Sequence, residues 1–490
     1  MKASRREFLA MAASGAAAGV FAAVAKPEPV KIAVLSDIHV SKPKFQKVFR
    51  DALAVLAKRN PDGVLIAGDL IDNAVESQLK LVADAWYDVF PDDKAPDGRH
   101  VEKIFVHGNH DIEGHTYGPF IKDFGEERTK AELISNRRAE VWKLLFKIDW
   151  APIRIVDVKG WKFVCVDWNY DTKEALERFF AEHGKALAKE KAFFYVQHKH
   201  PTGTCNSVGN SVPSSPAATP ILSRYPNCVA FSGHSHYSIH DERAIWQGAF
   251  TSVGLSTLAS PCLFGGRENT KRGRLFDTVD EQMPALYTRA CKQGIFMEIW
   301  PDHIVMERLE LVRNKKLAPD WTLPFPLVGD CPYGYAKRAA NEKTPRFPAG
   351  AKVSVSAVKG MDRARKPVDQ LNVSFPNVFA RDGVRPLDFE VQLEVADADI
   401  TKIEKTKRVY SKWCCSTEDA DEKTVTCAYA FHEVPEKLPY RFLVRPCGFF
   451  GAKGPAIASG WFSRDATVIR YNRTMKLQQP PDDGNEKNRY

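Results

Sequence analysis

The stretch KIFVHGNHD, residues 103–111, joins an apolar run directly to a group of polar side chains. Ile104–Val106 has the β-branched and aromatic composition of a buried strand. Asn109, His110 and Asp111 follow at once, and a buried carboxylate or amide needs a strong partner. The stretch therefore predicts a strand that ends at a site where polar side chains share a ligand.

Four other apolar runs end in the same way. They lead into SDIH with Asp37 and His39, GDLID with Asp69, QHKHP with His198 and His200, and SGHSH with His234 and His236. The carboxyl ends of strands in open α/β sheets converge on one crevice. Taken singly, each motif also fits a capped turn or a surface loop, but the ordered set of five predicts one shared site.

The residue types in these motifs predict metal ions. Carboxylate, amide and imidazole ligands together suit Mn, Fe or Zn. Cysteine is absent from all five motifs, which argues against a soft-metal site, and none of the 10 cysteines forms a C-x-x-C pair typical of a structural zinc site. The ligand set is too large for one ion, but it suits two divalent or trivalent ions that share a carboxylate.

The chain is long enough for two or three domains. From residue 30 to about 312, apolar strands alternate with helical patterns, including a long helical stretch near 129–147. Hairpins are predicted to turn at Lys159-Gly160 and Pro301-Asp302. Continuous apolar strands separated by helices indicate an α/β fold with its sheet covered on both faces.

The rest of the chain follows different patterns. Residues 313–349 are rich in proline, which predicts a linker that packs on the first domain. Short alternating runs over 350–470 predict a small antiparallel β-sandwich. Residues 471–490 are polar and are predicted to be disordered.

The N-terminus has the layout of an export signal. Arg5 and Arg6 precede an alanine-rich stretch that ends in Ala23-Val24-Ala25, as in a twin-arginine signal peptide over residues 1–25. A membrane anchor is the alternative, but the segment has few large apolar side chains. We therefore expect the mature chain to begin at Lys26 and to be periplasmic or on the surface of a bacterial cell, with its first domain over 26–312.

Charge and hydropathy restrict the partners. The formal net charge is +9, which fits a small anionic substrate. Basic residues are scattered, without the aromatic-interleaved stripe of a nucleic-acid-binding surface. No other stretch reaches 18 apolar residues, so no membrane span is predicted in the mature chain. The sequence leaves the oligomeric state open.

The ordered motifs D-x-H, G-D, G-N-H-D, H and G-H-x-H resemble the calcineurin-like metallophosphoesterase superfamily over roughly 30–312. The resemblance implies a β-sheet sandwich flanked by helices, with a dinuclear metal site at the strand ends. Carried over by residue, it implies that Asp37, His39 and His236 bind the first metal, that Asn109, His198 and His234 bind the second, and that Asp69 bridges them. It also implies hydrolysis of phosphodiesters or phosphomonoesters by a metal-bound hydroxide, with His110 stabilising the transition state or protonating the leaving oxygen and Asp111 orienting His110.

Two positions separate this chain from the purple acid phosphatases. Those enzymes have glycine in place of His39, and a metal-bound tyrosine where this chain has Asp72. The pattern looks more like the class that includes bacterial cyclic-nucleotide and glycerophosphodiester phosphodiesterases. Nucleotidase or pyrophosphatase specificity is an alternative, as is a cell-surface binding protein on a phosphoesterase scaffold.

The sequence leaves several roles open. In QHKHP the family's usual ligand position falls on Lys199, so either neighbouring histidine could bind the metal. We favour His198, which is the first residue past the strand, and expect His200 near the substrate or behind the ligands. Arg267, in the basic loop GGRENTKRGR, is a candidate substrate-binding residue. His107 fits core packing and a role behind the ligands equally well.

Overall fold

The fold was taken from a computed structural model of the chain. The structure describes residues 27–205, 214–259, 291–327, 331–361, 367–378, 384–397, 400–411 and 423–463. The predicted signal peptide, the polar tail and the loop that carries Arg267 lie outside these ranges.

Strands and helices alternate through the first half of the chain. The strands are β1 (Val30–Leu35), β2 (Gly63–Ala67), β3 (Glu102–Val106), β4 (Ile153–Val158), β5 (Trp161–Val166), β6 (Phe193–Val196), β7 (Cys228–Ser232), β8 (Ile245–Gln247), β9 (Thr251–Gly254), β10 (Gln293–Ile299), β11 (His303–Glu310), β12 (Lys315–Lys316) and β13 (Trp321–Pro324). The helices are α1 (Pro43–Ala57), α2 (Glu76–Val89), α3 (Asn109–Glu113), α4 (Phe120–Phe124), α5 (Glu126–Glu132), α6 (Arg138–Phe146), α7 (Lys173–Leu187), α8 (Ala218–Leu222) and α9 (Tyr335–Ala340).

These strands form two mixed sheets. The first has the order β12-β11-β10-β1-β2-β3, with β13 also paired to β11, and the second has the order β4-β5-β6-β7-β9-β8. Within them β1, β2 and β3 run parallel to one another, as do β5, β6, β7 and β9. The carboxyl ends of the parallel strands of each sheet therefore lie at one edge, where the polar motifs begin.

The two sheets pack face to face and are covered by helices outside. One apolar core contains residues from both sheets, such as Ile32, Ile104 and Phe194, and so lies between them. A second core joins the first sheet to α1, α2 and α6, and a third joins the second sheet to α7 and α8. The central strands β1, β2, β6, β7 and β9 are buried on both faces, which explains their continuous apolar sequences. The predicted sandwich of sheets flanked by helices is confirmed.

Both predicted hairpins form, β4–β5 and β10–β11. The predicted long helix near 129–147 is divided into α5 and α6 by a 3-10 turn at Ile134–Asn136. The proline-rich segment is more ordered than a linker. It contains β12 and β13, which extend the first sheet beyond residue 312, and the short helix α9. Proline is tolerated here because, among the described strands, β13 pairs with β11 alone and so lies at the sheet edge.

The last part of the chain is a separate antiparallel sandwich, which confirms this part of the predicted fold. Its strands are β14 (Ser354–Met361), β15 (Pro367–Pro376), β16 (Asp388–Asp397), β17 (Ile400–Tyr410), β18 (Thr424–Ala430), β19 (Tyr440–Cys447) and β20 (Ile457–Ala458). They form one sheet of order β14-β15-β18 and another of order β17-β16-β19-β20. Side chains from both sheets, including Val373, Phe389 and Phe442, share one core.

A buried charge cluster joins the sandwich to the first domain. Glu242, shortly after β7, accepts hydrogen bonds from Arg308 at 2.8 Å, from Arg338 at 2.6 Å and from Arg385 at 2.6 Å. Burial raises the pKa of Glu242, but the charges of the three arginines outweigh it and lower that pKa to about 2. The segment that follows the SGHSH motif is thus tied to the C-terminal sandwich.

Within the described residues, no helix is both long and apolar enough to cross a membrane.

Candidate metal centre and active site

The candidate ligands follow the carboxyl ends of strands from both sheets. Asp37, Asp69, His198 and His234 each lie two residues past the end of β1, β2, β6 and β7, respectively. Asn109 begins α3, just after β3. The sandwich of two sheets therefore brings residues that are distant in sequence to one edge of the fold.

Asp37, His39, Asp69 and His236 form the first group, with ligand atoms within 4.8 Å of one another. The Nε2 atoms of His39 and His236 face each other at 3.1 Å, and Nε2 of His236 lies 3.0 Å from Oδ1 of Asp37. Nδ1 of His39 is bonded to Asp72 at 2.8 Å. This bond turns Nε2 of His39 towards the centre, as a carboxylate does for a metal-bound histidine.

Asp69, His198 and His234 form the second group, also within 4.8 Å. Nδ1 of His198 donates to the carbonyl oxygen of Ala67 at 2.7 Å, and its Nε2 lies 3.1 Å from Oδ2 of Asp69. The sequence assigned Asn109 to the same ion, and its Oδ1 is buried without a hydrogen-bond partner, as is Nε2 of His234. Buried polar atoms without partners are costly, and a cation would satisfy both.

The backbone at the site is held in an unusual conformation. Asp37, His39, Asp69, His234 and His236 all have φ between 48° and 68°. Non-glycine residues rarely adopt this left-handed region, at a cost of about 1–3 kcal/mol each, and such residues cluster at functional sites. The occurrence of this strained conformation at five candidate ligands supports a functional interpretation of the site.

Two motif glycines are required by close packing. Gly68 has φ +90°, and a Cβ there would lie 2.5 Å from Nδ1 of His198. A Cβ at Gly108 would lie 2.2 Å from Oδ1 of Asp69. These glycines let the backbone approach the neighbouring candidate ligands.

The electrostatics of the site favour cations. Burial alone would lower the pKa values of His39 and His198, but nearby carboxylates raise both to about 9. Burial would raise the pKa of Asp37, but His236 and His198 lower it to about 2. The carboxylates thus stay ionised and draw protons onto the imidazoles. A metal ion would displace these protons, so its binding releases protons to solvent.

His110 lies at this centre, but Asp111 does not orient it. The carboxylate of Asp111 accepts backbone N–H bonds from Ile71 at 2.9 Å and Gly108 at 2.7 Å. Nδ1 of His110 is bonded instead to the carbonyl oxygen of Asp72 at 2.9 Å. These contacts give Asp111 a structural role in the loop, and its catalytic role stays a prediction. Its carboxylate fixes the loop, and Asp72 orients His110.

His200 does not lie where a substrate could contact it. It is only 1% exposed, and its ring nitrogens are bonded to the hydroxyls of Ser232 and Ser235, each at 2.7 Å. The prediction that His200 binds substrate is wrong, and its place behind the SGHSH motif matches the alternative we left open. Arg267 lies outside the described residues.

His107 packs in the core behind β3. Its Nδ1 lies 2.7 Å from Oδ2 of Asp167, and its ring contacts Trp142, with 4.2 Å between ring centroids. Asp167 also accepts the backbone N–H of His107 at 2.7 Å. Of the two roles left open by the sequence, these contacts favour core packing.

The two histidines of QHKHP are expected to differ in a metal-binding test. His198→Ala should cost one equivalent of metal, because Nε2 of His198 faces the centre. His200→Ala should keep the full metal content, because both ring nitrogens of His200 are hydrogen-bonded to serine hydroxyls. Elemental analysis of both purified variants measures this. Loss of metal in His200→Ala alone would contradict the assignment.

Asp72 is the main contributor that the motif analysis did not assign. Its side chain orients His39 and its carbonyl oxygen orients His110. The sequence signal was present, since Asp72 completes a G-D-x-x-D pattern with Asp69. Glu113, Tyr117 and Trp168 also border the centre, but they lie outside any motif that the sequence analysis used.

Comparison with known proteins agrees with this geometry. Residues 30–238 match the family model of the calcineurin-like phosphoesterases. None of the curated proteins matches the chain.

Solved structures with some similarity include three of low identity. GAP50, the anchor in the inner membrane complex of Plasmodium, is 13% identical with a TM-score of 0.37, over 62% of this chain and 91% of that one. A predicted phosphoesterase from Streptococcus pneumoniae TIGR4 is 10% identical with a TM-score of 0.26, over 61% and 99%. Vacuolar Protein Sorting 29 from Cryptosporidium parvum gives the same values, 10%, 0.26, 61% and 99%.

The family match covers all five strands that lead into the centre, which are β1, β2, β3, β6 and β7, and it extends through the SGHSH motif. It thus includes every candidate ligand from Asp37 to His236. Over these residues the chain is similar to the calcineurin-like phosphoesterases, a family that hydrolyses phosphoesters with the help of metal ions.

Proposed function

We propose that the chain is an exported phosphoesterase that hydrolyses phosphodiesters or phosphomonoesters at a centre of two metal ions. Asp37, His39 and His236 would hold one ion, Asn109, His198 and His234 the other, and Asp69 would bridge them. Mn, Fe and Zn are the candidates that this ligand set favours.

One observation carries the proposal. Asp69 belongs to both ligand groups, and its two oxygens have different neighbours. Oδ2 lies 3.7 Å from Nε2 of His39 and 3.1 Å from Nε2 of His198, whereas Oδ1 accepts the backbone N–H of His110 at 2.9 Å. A carboxylate placed between two groups of imidazoles is the arrangement that a bridged pair of ions requires.

The chemistry follows from this arrangement. Two metal ions bound here would lower the pKa of water from 15.7 towards about 7 and stabilise both the attacking and the leaving oxygen of a phosphoryl transfer. The side chains would hold the pair in place, and the centre would keep a positive charge, because two carboxylates do not neutralise two divalent ions. A phosphoryl oxygen would be attracted to that charge. His110, oriented by Asp72, would supply or stabilise a proton at the leaving oxygen.

The test is turnover of a panel of esters by metal-reconstituted protein. Metal-free protein would be loaded with Mn²⁺, Fe²⁺ or Zn²⁺ and assayed with chromogenic phosphomonoesters and phosphodiesters, a nucleotide and pyrophosphate. We expect metal-dependent hydrolysis of at least one ester class. The preferred class separates a diesterase from a nucleotidase or pyrophosphatase.

A negative result would have a definite meaning. Protein that holds two metal ions and hydrolyses none of these compounds would contradict the enzymatic proposal. It would support the alternative, a cell-surface binding protein on a phosphoesterase scaffold. Protein that binds no metal would contradict the centre itself.

Export is a separate part of the proposal, and it rests on the sequence of residues 1–25. The paired residues Arg5 and Arg6 followed by a short apolar stretch are typical of the twin-arginine signal. We expect the variant with both arginines changed to lysine to stay in the cytoplasm. Fractionation of expressing bacteria measures this, and unchanged export of that variant would contradict the route.

A further inference from the structure

Glu113 lies beside the second ligand group, at the end of the helix that begins with Asn109. Its Oε1 accepts hydrogen bonds from Nε1 of Trp168 at 2.8 Å and from Nδ2 of Asn169 at 3.1 Å. Its Oε2 accepts a longer bond, 3.4 Å, from the hydroxyl of Tyr117. One carboxylate therefore holds two aromatic side chains at the edge of the centre.

Of these two aromatic side chains, Tyr117 orients Asn109. Nδ2 of Asn109 donates a hydrogen bond to the hydroxyl of Tyr117 at 3.3 Å. An amide can place either its oxygen or its nitrogen on a given side, and this bond determines which. With Nδ2 committed to Tyr117, Oδ1 becomes the atom that can bind a cation, and Oδ1 is the buried atom without a partner.

The other aromatic side chain, Trp168, packs against the imidazoles of His198 and His234. The ring of Trp168 lies 5.9 Å from that of His198 and 5.8 Å from that of His234, measured between centroids. The indole is 8% exposed, so its position is restricted by its surroundings. Because Glu113 holds Nε1 of Trp168, it also restricts the rings that Trp168 contacts.

We propose that Glu113 is a positioning residue for the second metal ion, acting on Asn109 through Tyr117 and on His198 and His234 through Trp168. This inference rests on the two-metal centre proposed above. The three ligands that this ion does not share with its neighbour would then depend on a carboxylate that does not itself bind metal.

The side chains of the first ligand group have outer partners other than Glu113. His39, in the first group, is oriented by Asp72, and Asp37 accepts hydrogen bonds from Ser36 at 2.5 Å and from the backbone of His234 at 3.1 Å. Glu113 bonds to Trp168, Asn169 and Tyr117, and none of these three residues belongs to the first group. Loss of Glu113 should therefore weaken the binding of one metal ion and leave the binding of the other unchanged.

Glu113→Ala should lower the affinity for one metal ion by about 10–100-fold, the usual effect of removing an outer partner of metal ligands. Affinity for the other ion should stay within about twofold of the wild type. The measurement is equilibrium dialysis with Zn²⁺ alone, followed by elemental analysis, so that it does not depend on turnover. Thermal unfolding of the metal-free proteins reports whether the variant is folded.

Three further variants sharpen the test. Glu113→Gln keeps an acceptor for Trp168 and should restore most of the affinity. Tyr117→Phe keeps the ring but removes the acceptor for Asn109, and should weaken the same ion even if Glu113→Ala fails to fold. Glu126→Ala removes an exposed carboxylate from α5, where Glu126 pairs with Lys130, and this variant should bind both ions as the wild type does.

Glu113→Ala and Tyr117→Phe with wild-type affinity for both ions would overturn the proposal. An equal loss of affinity for both ions in either variant would also overturn the proposal, because the proposal predicts a loss of affinity for one ion only. A wild-type protein that binds only one ion would be a different failure. That result would overturn the two-metal centre along with the role of Glu113, and the wild-type titration alone reveals it.

Discussion

Asp69→Ala is expected to abolish metal binding at both positions and to reduce turnover by at least about 10⁴-fold, because the water nucleophile then keeps its ordinary pKa of 15.7. Asp69 is the only residue shared by the two groups of candidate ligands among the described residues. Its loss removes a charge and a bridge in one step. Elemental analysis and turnover of the best ester from the panel measure the two effects.

Stability distinguishes loss of the site from loss of the fold. In the metal-free protein, burial and the charge of Asp69 raise the pKa of Asp111 to about 6. Removing Asp69 relieves this repulsion, but it also removes the carboxylate that pairs with His39 and His198 and accepts the backbone N–H of His110. We therefore expect metal-free Asp69→Ala to remain folded and to unfold in one cooperative transition somewhat below the wild-type temperature.

Two further variants complete this test. Asp69→Asn preserves the size of the side chain and should also lose metal. Asp84→Ala, which removes an exposed carboxylate paired with Lys80, should behave as the wild type. A folded Asp69→Ala protein that retained two metal ions would contradict the bridging role.

The strands and the candidate ligands could be predicted together, because each ligand directly follows an apolar run that marks a strand. Continuous apolar runs such as VKIAVL mark strands buried on both faces. Parallel topology then places the residue that follows each run at a common edge. Asp37, Asp69 and His198 could be located from this rule alone, before any distance was known.

The orientation of side chains at the site could not be predicted in this way. The bonds from Asp111 to backbone N–H groups, and from His110 to the carbonyl oxygen of Asp72, depend on how the loop turns after β3. That turn brings residues from three loops together, and sequence spacing does not record it. The same holds for Glu113 and Trp168, which are 55 positions apart and meet only in the folded chain.

Elements without an apolar signature were also missed. The first five residues of β17, beginning at Ile400, are exposed, so they show no alternation of apolar and polar side chains. β13 contains proline at an edge, where its missing N–H costs little. In both cases pairing with a neighbouring strand determines the structure, and pairing is not visible in a local pattern.

His110→Ala is the variant that separates chemistry from metal binding. A carbonyl oxygen can only accept, so the bond from Nδ1 of His110 to Asp72 puts the ring hydrogen on Nδ1. Nε2 is then the nitrogen that exchanges a proton with a substrate. The variant should keep both metal ions and lose about 10²–10⁴-fold in turnover, the usual contribution of a positioned acid or base.

The loss should depend on the leaving group. An alkyl phosphate leaves poorly and needs a proton on its oxygen, so its hydrolysis should suffer the full reduction. A nitrophenyl phosphate leaves as a stable anion and should be affected much less. His100→Ala, which removes an exposed imidazole next to β3, is the matched control and should show neither effect. If His110→Ala hydrolysed the alkyl ester at the wild-type rate with both ions bound, His110 would not be the proton donor, and the metal ions alone would have to stabilise the leaving oxygen.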